Sequence, residues 1–262
     1  MNEVSRVGGR VTSRDGTPIA YERYGGGPPL VLVSGALGTA AAERPLGALL
    51  ARRFSVVAYD RRGRGRSGDT GPYAVEREIE DLAAVVGEAG AGAALHGTGT
   101  GGALALAAVA AGVGAGAVSV YEPPYAVEDA EAVERRLRVA ALLGRGRTAA
   151  ALELFLADPA VPTAPWAGAR ELAGTLAYDL AVLGDGTVPE RLLAGVHARV
   201  LVVDGGASPV GTRRAARALT AALPRARHRT LTGQTPDVSP HALAPVLTGF
   251  LAEEDGETAG AA

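Results

Sequence analysis

Eight residues, Leu95-His96-Gly97-Thr98-Gly99-Thr100-Gly101-Gly102, constrain this chain more than any other stretch; they lie between an apolar run and the helix-like Ala103-Leu104-Ala105-Leu106-Ala107. They have the form of a nucleophile elbow, the sharp strand-to-helix turn written G-x-S-x-G. Backbones crowd two places either side of its tip, so small residues are needed there. Gly97 and Gly101 meet that need and put Gly99 at the tip. Centring on Thr98 would place His96 in a small position, and centring on Thr100 would place Thr98 there. The best register has no side chain where a serine would stand.

The 262 residues suit one large domain. A net charge of −2 recruits neither nucleic acid nor an acidic membrane. The absence of cysteine excludes thiolate catalysis, Cys-zinc sites and disulfides, and fits a reducing compartment. The start, Met1-Asn2-Glu3-Val4-Ser5-Arg6, lacks the apolar core of a signal peptide, so a cytoplasmic location is expected. The apolar region Ala91 to Val120 has the length of a membrane span, but its glycines and His96 divide it into strand, turn, helix and strand.

Along the chain, Arg10–Ser13 and Ile19–Tyr24 flank the turn signal Asp15-Gly16-Thr17-Pro18 and predict a hairpin. Leu30–Val33 is a short apolar run suited to a strand buried on both faces. A helix over Ala41–Ala51 and a strand over Phe54–Tyr59 follow. The next turn, Asp60 to Gly68, carries four arginines; with no interleaved aromatics it is expected to be a solvated loop. Val75, Ile79, Leu82 and Val86 have helical spacing, with Glu76, Glu78, Glu80 and Asp81 assigned to other faces. Strands are expected at Ala117–Tyr121, Arg199–Asp204 and His228–Leu231, and helices at Arg213–Leu223 and Pro240–Leu251. Alternating strands and helices argue for a mostly parallel sheet with helices on both faces and ligands at the loop edge. Residues 125–186 look all-helical and are expected to form a lid; 1–124 and 187–252 form the core, and 253–262 a disordered tail.

Asp15-Gly16-Thr17, Tyr59-Asp60-Arg61-Arg62-Gly63-Arg64-Gly65-Arg66-Ser67-Gly68, the elbow, Gly205-Gly206-Ala207-Ser208-Pro209 and Gly233-Gln234-Thr235 occur in this order of elements. Together they resemble the α/β-hydrolase superfamily, in a compact bacterial branch, across about Val11 to Leu251. The resemblance implies the α/β-hydrolase fold, and a triad of Ser, then Asp or Glu, then His in chain order. At the implied positions stand Gly99 for the serine and Pro236 for the histidine. The acid position falls near Ala207, or Asp204 after a short shift, and its alternative after the preceding strand is Glu122. The implied oxyanion-hole donors are the backbone N–H groups of Ala36 and Thr100.

Glu122 is open to two readings, a shielded carboxylate for proton transfer or a structural cap on backbone N–H groups. Ser34, Leu37, Thr98, Tyr125 and Trp166 are candidate pocket residues. His96 reads as a satisfied interior histidine, His228 and His241 as structural, and His197 carries no signal. No spacing suggests a metal, and Gly97–Gly102 lacks the dinucleotide fingerprint, so no cofactor is expected. These residues predict a small-molecule enzyme without hydrolytic chemistry: a cyclisation, isomerisation, elimination or decarboxylation of an apolar metabolite. Specialised-metabolite biosynthesis enters by analogy. The alternatives are an inactive ligand-binding protein and hydrolysis through Ser34, a threonine or Glu122-activated water. Oligomeric state is left open.

Overall fold

The structure, a computed structural model, describes residues 6–163 and 168–253. Its elements alternate as the periodicity predicts. A hairpin of β1 (Arg6–Thr12) and β2 (Pro18–Tyr24) leads to β3 (Pro29–Val33), α1 (Arg44–Leu50) and β4 (Ser55–Tyr59). Then come α2 (Val75–Ala89), β5 (Ala94–Thr98), α3 (Thr100–Ala110) and β6 (Ala117–Tyr121). After β6 come the helices α4 (Ala130–Gly144), α5 (Thr148–Leu156), α6 (Ala169–Leu172) and α7 (Leu176–Leu183). The chain closes with α8 (Glu190–Leu193), β7 (Arg199–Gly205), α9 (Val210–Ala222), β8 (Ala226–Leu231) and α10 (Pro240–Leu251).

The eight strands form one sheet in the order β1-β2-β4-β3-β5-β6-β7-β8. Only β1 with β2 and β2 with β4 pair antiparallel; every later pair is parallel. The inner strands are nearly continuous apolar runs because both sheet faces are covered. Leu82 and Val85 of α2, Leu104 of α3 and Leu219 of α9 pack on one face; Leu50 of α1 and Leu247 of α10 pack on the other. The apolar region 91–120 is resolved into β5, α3 and β6, and no helix is long and apolar enough to cross a membrane among the described residues.

From β3 the chain steps to β4 on one side and then returns to β5 on the other. A crevice opens where the strand order reverses, beyond the strands' carboxyl ends. The loop after β3 and the turn after β5 meet there.

Two expectations need correction. β1 begins at Arg6 rather than Arg10. Gly8 and Gly9 weaken its sequence signal, yet Gly9 is where the Tyr21 ring crosses the strand, 2.5 Å from where a Cβ would sit. On α2, Glu78 and Asp81 are buried, not solvent-facing. Their partners explain why, as described below. The tail expected from 253 lies, from 254 onward, outside the described residues, as do Met1–Ser5.

Candidate functional site

The glycines on either side of Gly99 are crowded by backbone. A Cβ on Gly97 would lie 2.5 Å from Gly101 O and from Gly102 N and Cα, and one on Gly101 would lie 2.1 Å from Val33 O. Neither position tolerates a side chain. Gly99, at the tip, has φ 55° and ψ −126° and precedes the first residue of α3. An added Cβ there meets nothing nearer than Gly35 Cα at 4.0 Å, so the tip is strained but open. Its N–H donates to Tyr121 O at 2.8 Å, which ties the turn to β6.

Three of the four arginines in the turn after β4 are not solvated; only Arg66 is half exposed. Arg61, Arg62 and Arg64 are at most 1% exposed. Arg61 pairs with Glu78 of α2 through Nε (2.7 Å) and Nη2 (2.8 Å), and through Nη1 with Asp179 of α7 at 2.8 Å. Arg62 pairs with Asp81 (2.7 Å twice) and Asp15 (3.0 Å). Arg64 donates to Asp179 Oδ2 at 2.8 Å. Three of these four carboxylates come from distant helices, and so the local sequence reads as a surface loop. Burial alone would raise the Asp179 carboxyl, but the Arg64 and Arg61 charges hold it below the usual range.

This cluster orients the two backbone donors. Arg64 Nη1 donates to Gly35 O at 2.7 Å and Arg61 Nη1 to Ser34 O at 3.3 Å. In a trans peptide the C=O and the following N–H point opposite ways. Holding Gly35 O toward the arginines therefore turns the Ala36 N–H away from them. Thr100 is held by its hydroxyl, which donates to Asp179 Oδ1 at 2.7 Å, while its N–H sits at the start of α3, where no intrahelical acceptor exists.

Ala36, Thr98, Gly99, Thr100, Glu122, Tyr125 and Pro236 all line one cavity of about 610 Å³ over the crevice, and α4, α5 and α7 supply one of its walls. Seven of the residues singled out in the sequence thus converge. Two do not. Ser34 is buried beneath the loop, where Gly38 leaves it room: a Cβ there would lie 2.7 Å from Ser34 Cβ. Leu37, at φ 57°, points into an apolar cluster with Leu152, Leu172 and Leu176. Trp166 lies outside the described residues.

Glu122 is buried at φ 47°, an unusual backbone state for a glutamate. Its Oε1 accepts from Gly205 N at 2.7 Å, and Oε2 has no hydrogen-bond partner among the described residues. Desolvation raises its pKa, opposed by Ser208 and the Gly205 N–H and reinforced by the Asp204 charge. Asp204 is buried off the cavity wall, with Oδ2 3.2 Å from His228 Nε2. Tyr121 OH donates to Thr235 O at 2.6 Å, positioning the loop that presents Pro236. His96 is interior as expected but only half satisfied: Nδ1 meets Ser119 Oγ at 2.9 Å and Nε2 has no partner among the described residues, so burial lowers its pKa to about 4.

Three wall residues carry chemistry that the sequence reading missed. Asp179 had a signal, a lone acid within the apolar Leu176–Leu183. Arg136 of α4 makes no ion pair among the described residues, unlike its neighbour Arg135, which pairs with Glu131 and Asp158; desolvation lowers the pKa of Arg136. Glu43, just before α1, gave no signal. It is half-buried on the wall, and desolvation raises its pKa to about 7.

Residues 30–246 match the alpha/beta hydrolase family. An alpha/beta hydrolase of Sphaerobacter thermophilus is 47% identical and superposes with a TM-score of 0.84, over 93% of this chain and all of that one. The 2-hydroxy-6-oxo-6-phenylhexa-2,4-dienoate hydrolase of Rhodococcus sp. RHA1 shares the fold at 21% identity, with a TM-score of 0.72 over 95% of this chain and 100% of its own. Two curated relatives match only in part: a non-heme haloperoxidase of Rhodococcus erythropolis (38% over 33% of this chain) and a candidate carbamate hydrolase of Azorhizobium caulinodans (42% over 27%). The matches span about a third or less of those relatives' length, 32% and 27%. By sequence pattern, sheet order and elbow, this chain belongs to the alpha/beta hydrolase family.

Proposed function

We propose that this chain uses the hydrolase scaffold for a proton-transfer reaction that adds no water. In this reading Gly99 occupies the serine position and Pro236 the histidine position of the family's triad, and residues 125–186 act as a lid. A small, largely apolar molecule binds beneath that lid. Its carbonyl or enolate oxygen faces the Ala36 and Thr100 N–H groups, and Glu122, whose pKa desolvation raises, donates or takes a proton. Isomerisation, cyclisation, elimination and decarboxylation all fit such a site, because each develops negative charge on oxygen and needs no nucleophile from the protein. The relatives are named as hydrolases or, in one case, a haloperoxidase, and a serine-type hydrolysis would need a nucleophile side chain at the Gly99 position.

One observation carries the reading: the strained tip is kept, with crowded glycines on either side, while the tip itself bears no side chain. The test is untargeted mass spectrometry of small-molecule extract from cells lacking the protein, incubated with and without it. A new product of unchanged mass, or one lighter by water or carbon dioxide, is expected, and Glu122→Gln should slow its formation roughly 100-fold. A product heavier by water would overturn the reading in favour of hydrolysis. Retention of a compound with no conversion would make the chain a ligand-binding protein.

A further inference from the structure

Every carboxylate on the cavity wall except Glu43 is engaged. Asp179 holds two arginines, Glu131 and Asp158 pair with Arg135, and Asp129 and Asp237 accept from Ala132 N and from Thr163. Glu122 accepts from Gly205 N. The Glu43 side chain has neither an ion pair nor a hydrogen bond among the described residues, although it occupies the position before α1 where it could have capped that helix. Its neighbour Arg44 turns away to Glu22, at 3.0 and 2.8 Å. α1 packs on α10 and β4. The titratable side chains there are His241, exposed at the start of α10, and Tyr59, buried in the core cluster on the other face of the sheet. Asp237, the wall carboxylate preceding α10, is bound to Thr163.

We propose that Glu43 is the general base of this cavity, taking a proton from a weakly acidic C–H of an apolar ligand whose developing oxyanion meets the Ala36 and Thr100 N–H groups. The inference rests on the non-hydrolytic reading above and divides its proton work: Glu43 removes the proton and Glu122 supplies one. A half-buried carboxylate with no partner is a stronger base than a fully solvated one, and a pKa of about 7 leaves Glu43 partly ionised at neutral pH. Glu122, with one oxygen fixed by Gly205 N, is the less free of the two.

The probe is 5-nitrobenzisoxazole, an apolar bicycle small enough for a cavity of about 610 Å³. The carboxylate takes the C3 proton, that electron pair completes a nitrile, and the N–O bond breaks to release 2-cyano-4-nitrophenolate; the proton then passes from Glu43 to water. No oxidant or reductant is required. Saturable release of the phenolate is expected, rising with pH through a midpoint near 7. Glu43→Gln should lose the saturable rate roughly 100-fold, Glu43→Asp should recover part of it, and Glu76→Gln, an exposed control on α2, should not change it. A Glu43→Gln variant as active as the wild type overturns the assignment, as does a midpoint near 4.5, the ordinary glutamate value. Wild-type protein that binds 2-cyano-4-nitrophenol without turning over the probe also overturns it, while leaving the cavity reading intact. Failure to bind the nitrophenol at all overturns both. A second readout needs no turnover: a raised pKa contributes stability below pH 4.5 that is lost as pH rises through 7, so the melting temperature of Glu43→Gln should gain on the wild type over that interval.

Discussion

The Thr100 hydroxyl donates a 2.7 Å hydrogen bond to Asp179 Oδ1, joining the first residue of α3 to a helix 79 positions later in the chain. Through Asp179 the same contact reaches Arg61 and Arg64, which hold the carbonyls of Ser34 and Gly35. Both backbone donors of the crevice are thus set by one buried carboxylate. Asp179→Asn would leave two buried guanidinium groups undercompensated and should cost about 3–5 kcal/mol in urea unfolding. Thr100→Val keeps both ion pairs and should cost only about 1 kcal/mol.

The elbow glycines should separate sharply. Gly101→Ala forces a Cβ to within 2.1 Å of Val33 O, and the destabilisation should exceed about 3 kcal/mol or prevent folding. Gly99→Ala meets open space and has only its positive φ to bear, about 1–2 kcal/mol. Equal losses in the two variants, measured by thermal unfolding, would show that the tip is not the open position.

Open space at the tip also predicts what adding side chains would do. Gly99→Ser with Pro236→His should give p-nitrophenyl acetate hydrolysis above background, with Glu122 available to orient the imidazole. Each single variant should stay at background, because the nucleophile and its base work only together. Hydrolysis by the Gly99→Ser variant alone would argue against Pro236 as the position of the partner base.

His96 makes acid stability specific. Its folded pKa, about 4, lies below the ordinary 6.5, so the unfolded chain binds the proton more readily. Stability is complete above pH 6.5 and is lost as pH falls from there to 4. The full difference is about 3 kcal/mol. In urea titrations across that interval, His96→Gln should flatten the pH dependence even though it loses the contact to Ser119 Oγ. An unchanged slope would assign the acid sensitivity to other groups.

Several features of this protein were legible in its sequence because they are local. Apolar runs of strand length, the period of α2 and the glycine spacing around Gly99 each reflect chain neighbours a few positions apart, and so the layered sheet and the elbow register follow from them. The turn signal at Asp15 is of the same kind: Thr17 N donates to Asp15 Oδ1 two residues away. The seven cavity residues could also be placed, since the parallel sheet carries every strand-to-helix loop to one edge.

The charged groups were decided elsewhere. Arg61, Arg62 and Arg64 look solvated beside their own neighbours, and only folding brings up the carboxylates of Glu78, Asp81 and Asp179 that let them be buried. Glu43 shows the reverse: an ordinary acid at a helix start becomes a half-buried carboxylate whose side chain the cavity wall leaves without a partner among the described residues. Hydrophobic periodicity is a property of a segment, whereas a buried charge depends on which distant segment packs against it. The sequence by itself therefore determined the scaffold and the empty tip of its elbow, and tertiary structure decided which charges are neutralised and which face the cavity.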